Sequence, residues 1–254
     1  MSIWGNAITL GSSGGGGGGP SASDAILTVT VPTGSTVTAT KGGVTLTPTI
    51  WVQAADATLD CALFVIAPAQ FDSVNPWTVT ISDGTNTASD TILIGSNKQY
   101  DLTLDYNYWL VRNGKLIETF TLSTYAVLTQ EELYTLLKIT GNNYGRITTQ
   151  SPIDITDYST LIIKFCYDVD GKYGQSYFSS YYPSIGYGTS SPSSDTVPNY
   201  EKYTRMNSAT GQIFASTFTV DASTATGPKY ISLFISGYSG GTGYANIYDF
   251  YLER

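Results

Sequence analysis

A period of two runs through most of this chain. Ile26-Leu-Thr-Val-Thr-Val31 alternates apolar side chains with threonine. Successive strand residues point to opposite faces, so this pattern reads as a strand buried on one side. Ser35-Thr-Val-Thr-Ala-Thr40, Val44-Thr-Leu-Thr-Pro-Thr-Ile50, Trp77-Thr-Val-Thr-Ile-Ser82, Thr87–Ile94 and Gln99–Leu104 repeat it. Cys61-Ala-Leu-Phe-Val-Ile66 is continuously apolar, as expected for a central strand. Pro32-Thr-Gly-Ser35, Lys41-Gly-Gly43 and Asp83-Gly-Thr-Asn86 supply turns, and Asp-Gly between two alternating runs is a hairpin signal. About seven strands at such spacing predict a β-sandwich over residues 24–105.

Residues 106–254 continue in strands. Trp109-Leu-Val-Arg112 and Lys115-Leu-Ile-Glu-Thr-Phe120 flank Asn113-Gly114, a type I′ turn candidate. Thr129-Gln-Glu-Glu132 fits a capping box and predicts one helical turn. Tyr134–Thr140 reads as a strand closed by Gly141-Asn-Asn143. Ser159–Tyr167, Ile213–Val220, Tyr230–Ser236 and Ala245–Leu252 complete the set. The expected class is all-β: an N-terminal Ig-like β-sandwich followed by a jelly-roll β-sandwich.

Residues 1–23 differ. A short apolar leader holds Ile3, Trp4, Ile8 and Leu10, followed by a glycine run to Gly19 and Pro20. Glycine loses the most backbone entropy on ordering, so the run reads as a flexible linker. The leader reads either as a docking peptide for a neighbouring subunit or as a disordered tail.

Composition removes several functions. There is no histidine among 254 residues, which excludes Ser-His-Asp and Cys-His catalysis and His-ligated metals. No glutamate or aspartate pair is singled out for glycosidase work, so the expectation is a non-enzyme. The net charge is −8. An acidic surface disfavours nucleic acid and anionic membranes, and no stretch is long enough for membrane insertion. Cys61 and Cys166 sit in apolar runs and read as buried thiols, with a cross-domain disulfide as the alternative.

Two groups remain as candidate sites. Asp168-Val-Asp170-Gly resembles part of a calcium loop, and an Asp-rich turn is the competing reading. Residues 170–205 read as a long loop carrying Tyr173, Tyr177, Tyr181, Tyr182 and Tyr187 among Ser, Gly and Pro. Tyrosine offers large contact area at low entropic cost, as in binding loops. These rings either bind a glycan or a partner, or pack the loop onto the sandwich.

Val31-Pro-Thr-Gly-Ser-Thr-Val-Thr-Ala-Thr-Lys-Gly-Gly43, with Pro76-Trp-Thr-Val-Thr-Ile-Ser-Asp-Gly-Thr85, resembles the PEGA-like and carboxypeptidase-regulatory-like immunoglobulin modules. These recur in tail and baseplate proteins of phages and prophages of Gram-positive gut bacteria. Pro76 stands where such modules usually have glycine before the Trp. Residues 145–254, with Ile153-Asp-Ile-Thr-Asp-Tyr158, Phe218-Thr-Val-Asp221 and Ile247-Tyr-Asp-Phe-Tyr-Leu252, are similar to galactose-binding-like jelly rolls, the fold of many carbohydrate-binding modules.

The resemblance implies a virion structural protein of a tail tip, fibre or collar. Its leader would dock to other virion proteins and its jelly roll would meet cell-surface glycan. A bacterial surface adhesin or secreted carbohydrate-binding module is the alternative. The resemblance also implies a candidate structural calcium near the last strand, with Asp249 as a ligand. Virion proteins act in symmetric assemblies, so a homo-oligomer is expected. The start of the chain lacks the basic segment of a signal peptide while the composition looks extracellular. A particle made in the host cytoplasm and released by lysis reconciles the two.

Overall fold

The structure, a computed structural model, describes residues 21–54, 56–140, 144–169, 183–191, 200–205, 213–236 and 242–254. Among them there is no α-helix, and the chain is all-β, built of β-sandwiches. It divides into two compact units, Met1–Tyr106 and Asn107–Arg254. The leader Ile3, Trp4, Ile8 and Leu10 lies outside the described residues.

Among its described residues the first unit has eight strands: β1 (Ala25–Pro32), β2 (Thr36–Lys41), β3 (Val44–Leu46), β4 (Ile50–Gln53), β5 (Leu59–Ile66), β6 (Asp72–Ser82), β7 (Thr87–Ile94) and β8 (Gln99–Thr103). They form two four-stranded sheets in the orders β4-β5-β1-β8 and β3-β2-β6-β7. β1 and β8 run parallel, and the other pairs are antiparallel. The inward rows meet in a core of Leu27, Val29, Phe64, Ile66, Trp77, Val79 and Ile81, all 1% exposed or less.

Asp83-Gly84 makes the β6–β7 turn as its sequence predicts. Asp83 Oδ1 accepts from the Thr85 and Asn86 amides at 2.8 and 2.7 Å, and Gly84 sits at φ 91°. Val44–Ile50 is not one strand. Pro48 has no N–H to give a ladder, so β3 stops at Leu46, and Ile50 opens β4 in the opposite sheet.

The second unit has β9 (Tyr108–Arg112), β10 (Lys115–Leu116), β11 (Phe120–Leu122), β12 (Ala126–Gln130), β13 (Thr135–Ile139), β14 (Tyr144–Thr149), β15 (Ile153–Asp154), β16 (Thr160–Val169), β17 (Ser184–Gly188), β18 (Lys202–Arg205), β19 (Ile213–Asp221), β20 (Pro228–Ser236) and β21 (Gly243–Glu253). One sheet carries β11-β14-β20-β17-β18, with β15 also on β20. The other centres on β21. β16 pairs along one side of it and carries β19. On its other side β13 pairs with Gly243–Ile247, and β9 takes over at Phe250–Leu252. Between the sheets lies a core that includes Leu137, Ile147, Phe165, Ile185, Leu233, Ile247 and Phe250.

Three local expectations are corrected here. Thr129–Glu132 is not helical: Thr129 and Gln130 pair with Leu136 and Thr135. The Gln130 amide also donates to Gly114 O at 2.7 Å and accepts from the Leu116 amide at 2.8 Å. Tertiary pairing thus outweighs a local cap. Lys115–Phe120 is not continuous, because the Ile117 and Glu118 amides both turn back to Leu110 O. The 170–205 region is not loop throughout, since β17 and β18 fall inside it.

Candidate functional site

β21 alternates buried and half-buried positions. Gly243, Ala245 and Ile247 face the core, and Tyr244, Asn246 and Tyr248 face the other way. Strict alternation would then turn Tyr251 inward. The β16 register slips between Lys164 and Phe165, which pair with Asp249 and Ile247 and leave Tyr248 as an extra residue. This bulge resets the phase. Phe250 enters the core at 0% exposure, and Tyr251 rejoins the face of Tyr244 and Tyr248.

The result is an aromatic row along the outer face of this sheet. At a rise of about 3.3 Å per residue, Tyr244 to Tyr251 spans roughly 23 Å. Each tyrosine is held by a neighbour. Tyr251 lies against Trp109 of β9, with ring centroids 4.5 Å apart. Tyr248 meets the edge of Tyr134 at 6.3 Å. The Lys138 ammonium stands 5.6 Å from the Tyr244 ring, and the Arg112 guanidinium 4.9 Å from the Trp109 ring. The Tyr248 hydroxyl shares a hydrogen bond with Cys166 Sγ at 3.1 Å. That bond, with partial burial, pushes its phenol up to about 12.

The row is centred where β21 changes partner. There the Asn113-Gly114 turn folds over the strand, with φ of 50° and 77°, as a type I′ turn requires. The Gly114 amide donates to Tyr248 O at 2.6 Å, and Gly114 O accepts the buried Thr135 hydroxyl at 2.8 Å. Asp249 Oδ1 accepts from the Asn113 amide at 2.9 Å. Asp249 therefore caps this turn. Among the described residues no three of Cys, Asp and Glu gather as a metal site. Asp168 belongs to strand β16 rather than to a turn, opposite Tyr244, and Asp170 lies outside the described residues.

The tyrosines expected in a binding loop fare differently. Tyr173, Tyr177, Tyr181 and Tyr182 lie outside the described residues. Tyr187 is corrected from loop to core. It sits in β17 at 3% exposure, and its hydroxyl donates to Asp221 O at 3.2 Å. Its phase in the strand aims it inward beside Ile185 and Ile231. Tyr200 stacks on Tyr203 and donates to Ser184 O at 3.2 Å, and burial pushes its phenol well above the usual range. A Cβ on Gly186 would stand 2.6 Å from the Tyr200 ring, so only glycine lets this ring lie on the sheet.

Cys61 and Cys166 are free and only half-buried. Both lie on outward rows of their strands, not in the cores. Sequence reasoning passed over the aromatic row. Its signal was Tyr244-Ala-Asn-Ile-Tyr248, tyrosines in phase opposite to the core residues, but Tyr251 needed the bulge.

No helix among the described residues is long and apolar enough to cross a membrane. No protein-family model matches the chain, and no curated protein matches it. Among solved structures, one described as the structural basis for the promiscuous specificity of the carbohydrate-binding modules from the β-sandwich superfamily matches at 13% identity. The match covers 86% of this chain and 85% of that one, with a TM-score of 0.35.

Proposed function

We propose that the chain is a non-catalytic structural protein of a bacteriophage particle, at the tail tip, fibre or collar, that engages cell-surface glycan through its second unit. The observation that carries the glycan part is the row Trp109–Tyr251, Tyr248 and Tyr244. Flat aromatic faces take the apolar faces of sugar rings, and phenol groups meet their hydroxyls. A row roughly 23 Å long on the outer side of a sheet suits an extended chain rather than one small molecule. Asn246 and Lys138 stand beside the rings in the pairing register and offer donors to hydroxyl groups. What supports the virion part is sequence: the PEGA-like stretches Val31–Gly43 and Pro76–Thr85, and the apolar leader before its glycine linker.

The test has two arms. A glycan array of bacterial cell-wall and capsular polysaccharides is read with the parent chain and with Trp109→Ala. An aromatic anchor is worth about 2 kcal/mol, so affinity for the bound glycans falls about 30-fold in the variant. Parent and variant giving the same profile would sink the glycan reading. Mass spectrometry of purified particles tests the other part. Absence from particles, with presence on the bacterial surface, would replace the virion reading by that of a surface adhesin.

A further inference from the structure

Asn113-Gly114 is the one Asn-Gly pair in the chain. Glycine has no side chain to shield its nitrogen, so that nitrogen can attack the carboxamide carbon of the preceding asparagine. Asn113 is exposed, and water reaches its carboxamide. Gly114 is buried, and its amide donates to Tyr248 O at 2.6 Å. The reactive pair is thus the same turn that holds β21 at the centre of the aromatic row.

We propose that Asn113 is a site of spontaneous deamidation, and that the turn itself sets the rate. A bond forms between the Gly114 nitrogen and Asn113 Cγ, and the Cγ–Nδ2 bond breaks. The Gly114 amide proton leaves with the amine as ammonia. The product is a succinimide, which water opens at either carbonyl. Opening at Cγ gives aspartate. Opening at the main-chain carbonyl gives isoaspartate, whose main chain runs through Cβ and is one atom longer.

The fold opposes the first step in two ways. The nitrogen must lose its proton, and the hydrogen bond to Tyr248 O favours the protonated form. The nitrogen must also swing toward Asn113 Cγ. The backbone of Leu133 and Tyr134 is packed so closely on Gly114 that even a Cβ would stand 2.3 Å from Leu133 O, which leaves the peptide no room to turn. Thr135 Oγ1 and Gln130 Nε2 fix its carbonyl at 2.8 and 2.7 Å. The reaction therefore waits for the turn to lift. Three hydrogen bonds hold it down, so the folded chain reacts about 100-fold more slowly than the unfolded one.

Reaction removes the clamp. Either product adds a carboxylate to the residue whose amide already donates to Asp249 Oδ1 at 2.9 Å. Isoaspartate also adds an atom to a turn whose next amide must reach Tyr248 O. β21 then loses its hold at mid-row, and glycan affinity falls as the protein ages. This last step rests on the glycan reading; the modification does not.

Peptide mass spectrometry of the full chain, stored in mildly alkaline buffer with and without urea, tests the proposal. Deamidation is expected at Asn113 in both, about 100-fold more slowly without urea. Thr135→Val removes one bond from the Gly114 carbonyl, leaves the Gln130 bond in place and speeds the native reaction about 5-fold. Thr135→Ser keeps the hydroxyl and the parent rate. A native chain that reacts as fast as the chain in urea overturns the proposal. So does an Asn113 that stays intact in urea, or a Val variant no faster than the Ser variant. Glycan affinity is measured separately on the fresh and the converted chain. Equal binding by both refutes the loss of the clamp, while binding by neither refutes the glycan reading alone.

Discussion

Replacing Gly114 with alanine tests whether the turn over β21 holds the aromatic row in place. Gly114 has φ 77°, a region that costs an L-residue about 1–2 kcal/mol. The added Cβ would also stand 2.3 Å from Leu133 O and 2.6 Å from Tyr134 Cα, both backbone atoms that no rotamer change can clear. The turn must therefore lift. Lifting it strains three hydrogen bonds: Gly114 N–H to Tyr248 O, and Thr135 Oγ1 and Gln130 Nε2 to Gly114 O. At about 1 kcal/mol each, losing two or three adds about 2–3 kcal/mol. The total is about 3–5 kcal/mol.

Gly227 is the matched control. It lies in the same unit at φ 71°, and its added Cβ meets nothing within 4 Å. Gly227→Ala therefore costs about 1 kcal/mol, the strain less the loss of unfolded-state freedom. Urea denaturation followed by circular dichroism compares the two variants. Glycan affinity falls in Gly114→Ala and holds in Gly227→Ala. Equal destabilisation of the two variants would refute the account of the turn as a clamp.

Three further outcomes are expected. Trp77 is 1% exposed and its Nε1 has no hydrogen-bond partner among the described residues, so Trp77→Phe costs about 1–2 kcal/mol while Trp77→Ala costs about 3–5 kcal/mol; urea midpoints that do not separate the two would contradict the packing. Tyr248 keeps its proton to about 12 in the fold and to roughly 10 in the unfolded chain. The unfolded state then binds fewer protons above pH 10, and stability falls from there to pH 12. Tyr248→Phe removes that share of the fall, as a difference between the two alkaline stability curves. Asp72, Asp83 and Asp154 are held below the usual carboxylate range by hydrogen bonds, chiefly from Asn75, Asn86 and Thr156. Their contribution is present above about pH 4 and is lost as pH falls further; a denaturation midpoint unchanged between pH 5 and pH 2 would count against it.

The strands were legible because alternation is a local property. β1, β2, β7 and β16 follow from their own residues, and the Asp83-Gly84 and Asn113-Gly114 turns follow from their need for positive φ. Errors arose where a distant partner decided. The capping box at Thr129 lost to β13. Tyr187, one ring in a tyrosine-rich stretch, was drawn into the core by its phase in β17.

The amino-acid order by itself determined the all-β class, most strand positions, the turns, and the absence of histidine chemistry, since each depends on a few neighbouring residues. Only the tertiary structure decided what the outward rows do. The bulge at Tyr248 comes from the register of β16 against β21, and it alone brings Tyr251 onto the face of Tyr248 and Tyr244. Likewise the apolar run Cys61–Ile66 does not reveal which of its two sides is covered. A strand's pattern sets which residues share a side, but the layer packed against it chooses which side becomes core and which faces outward.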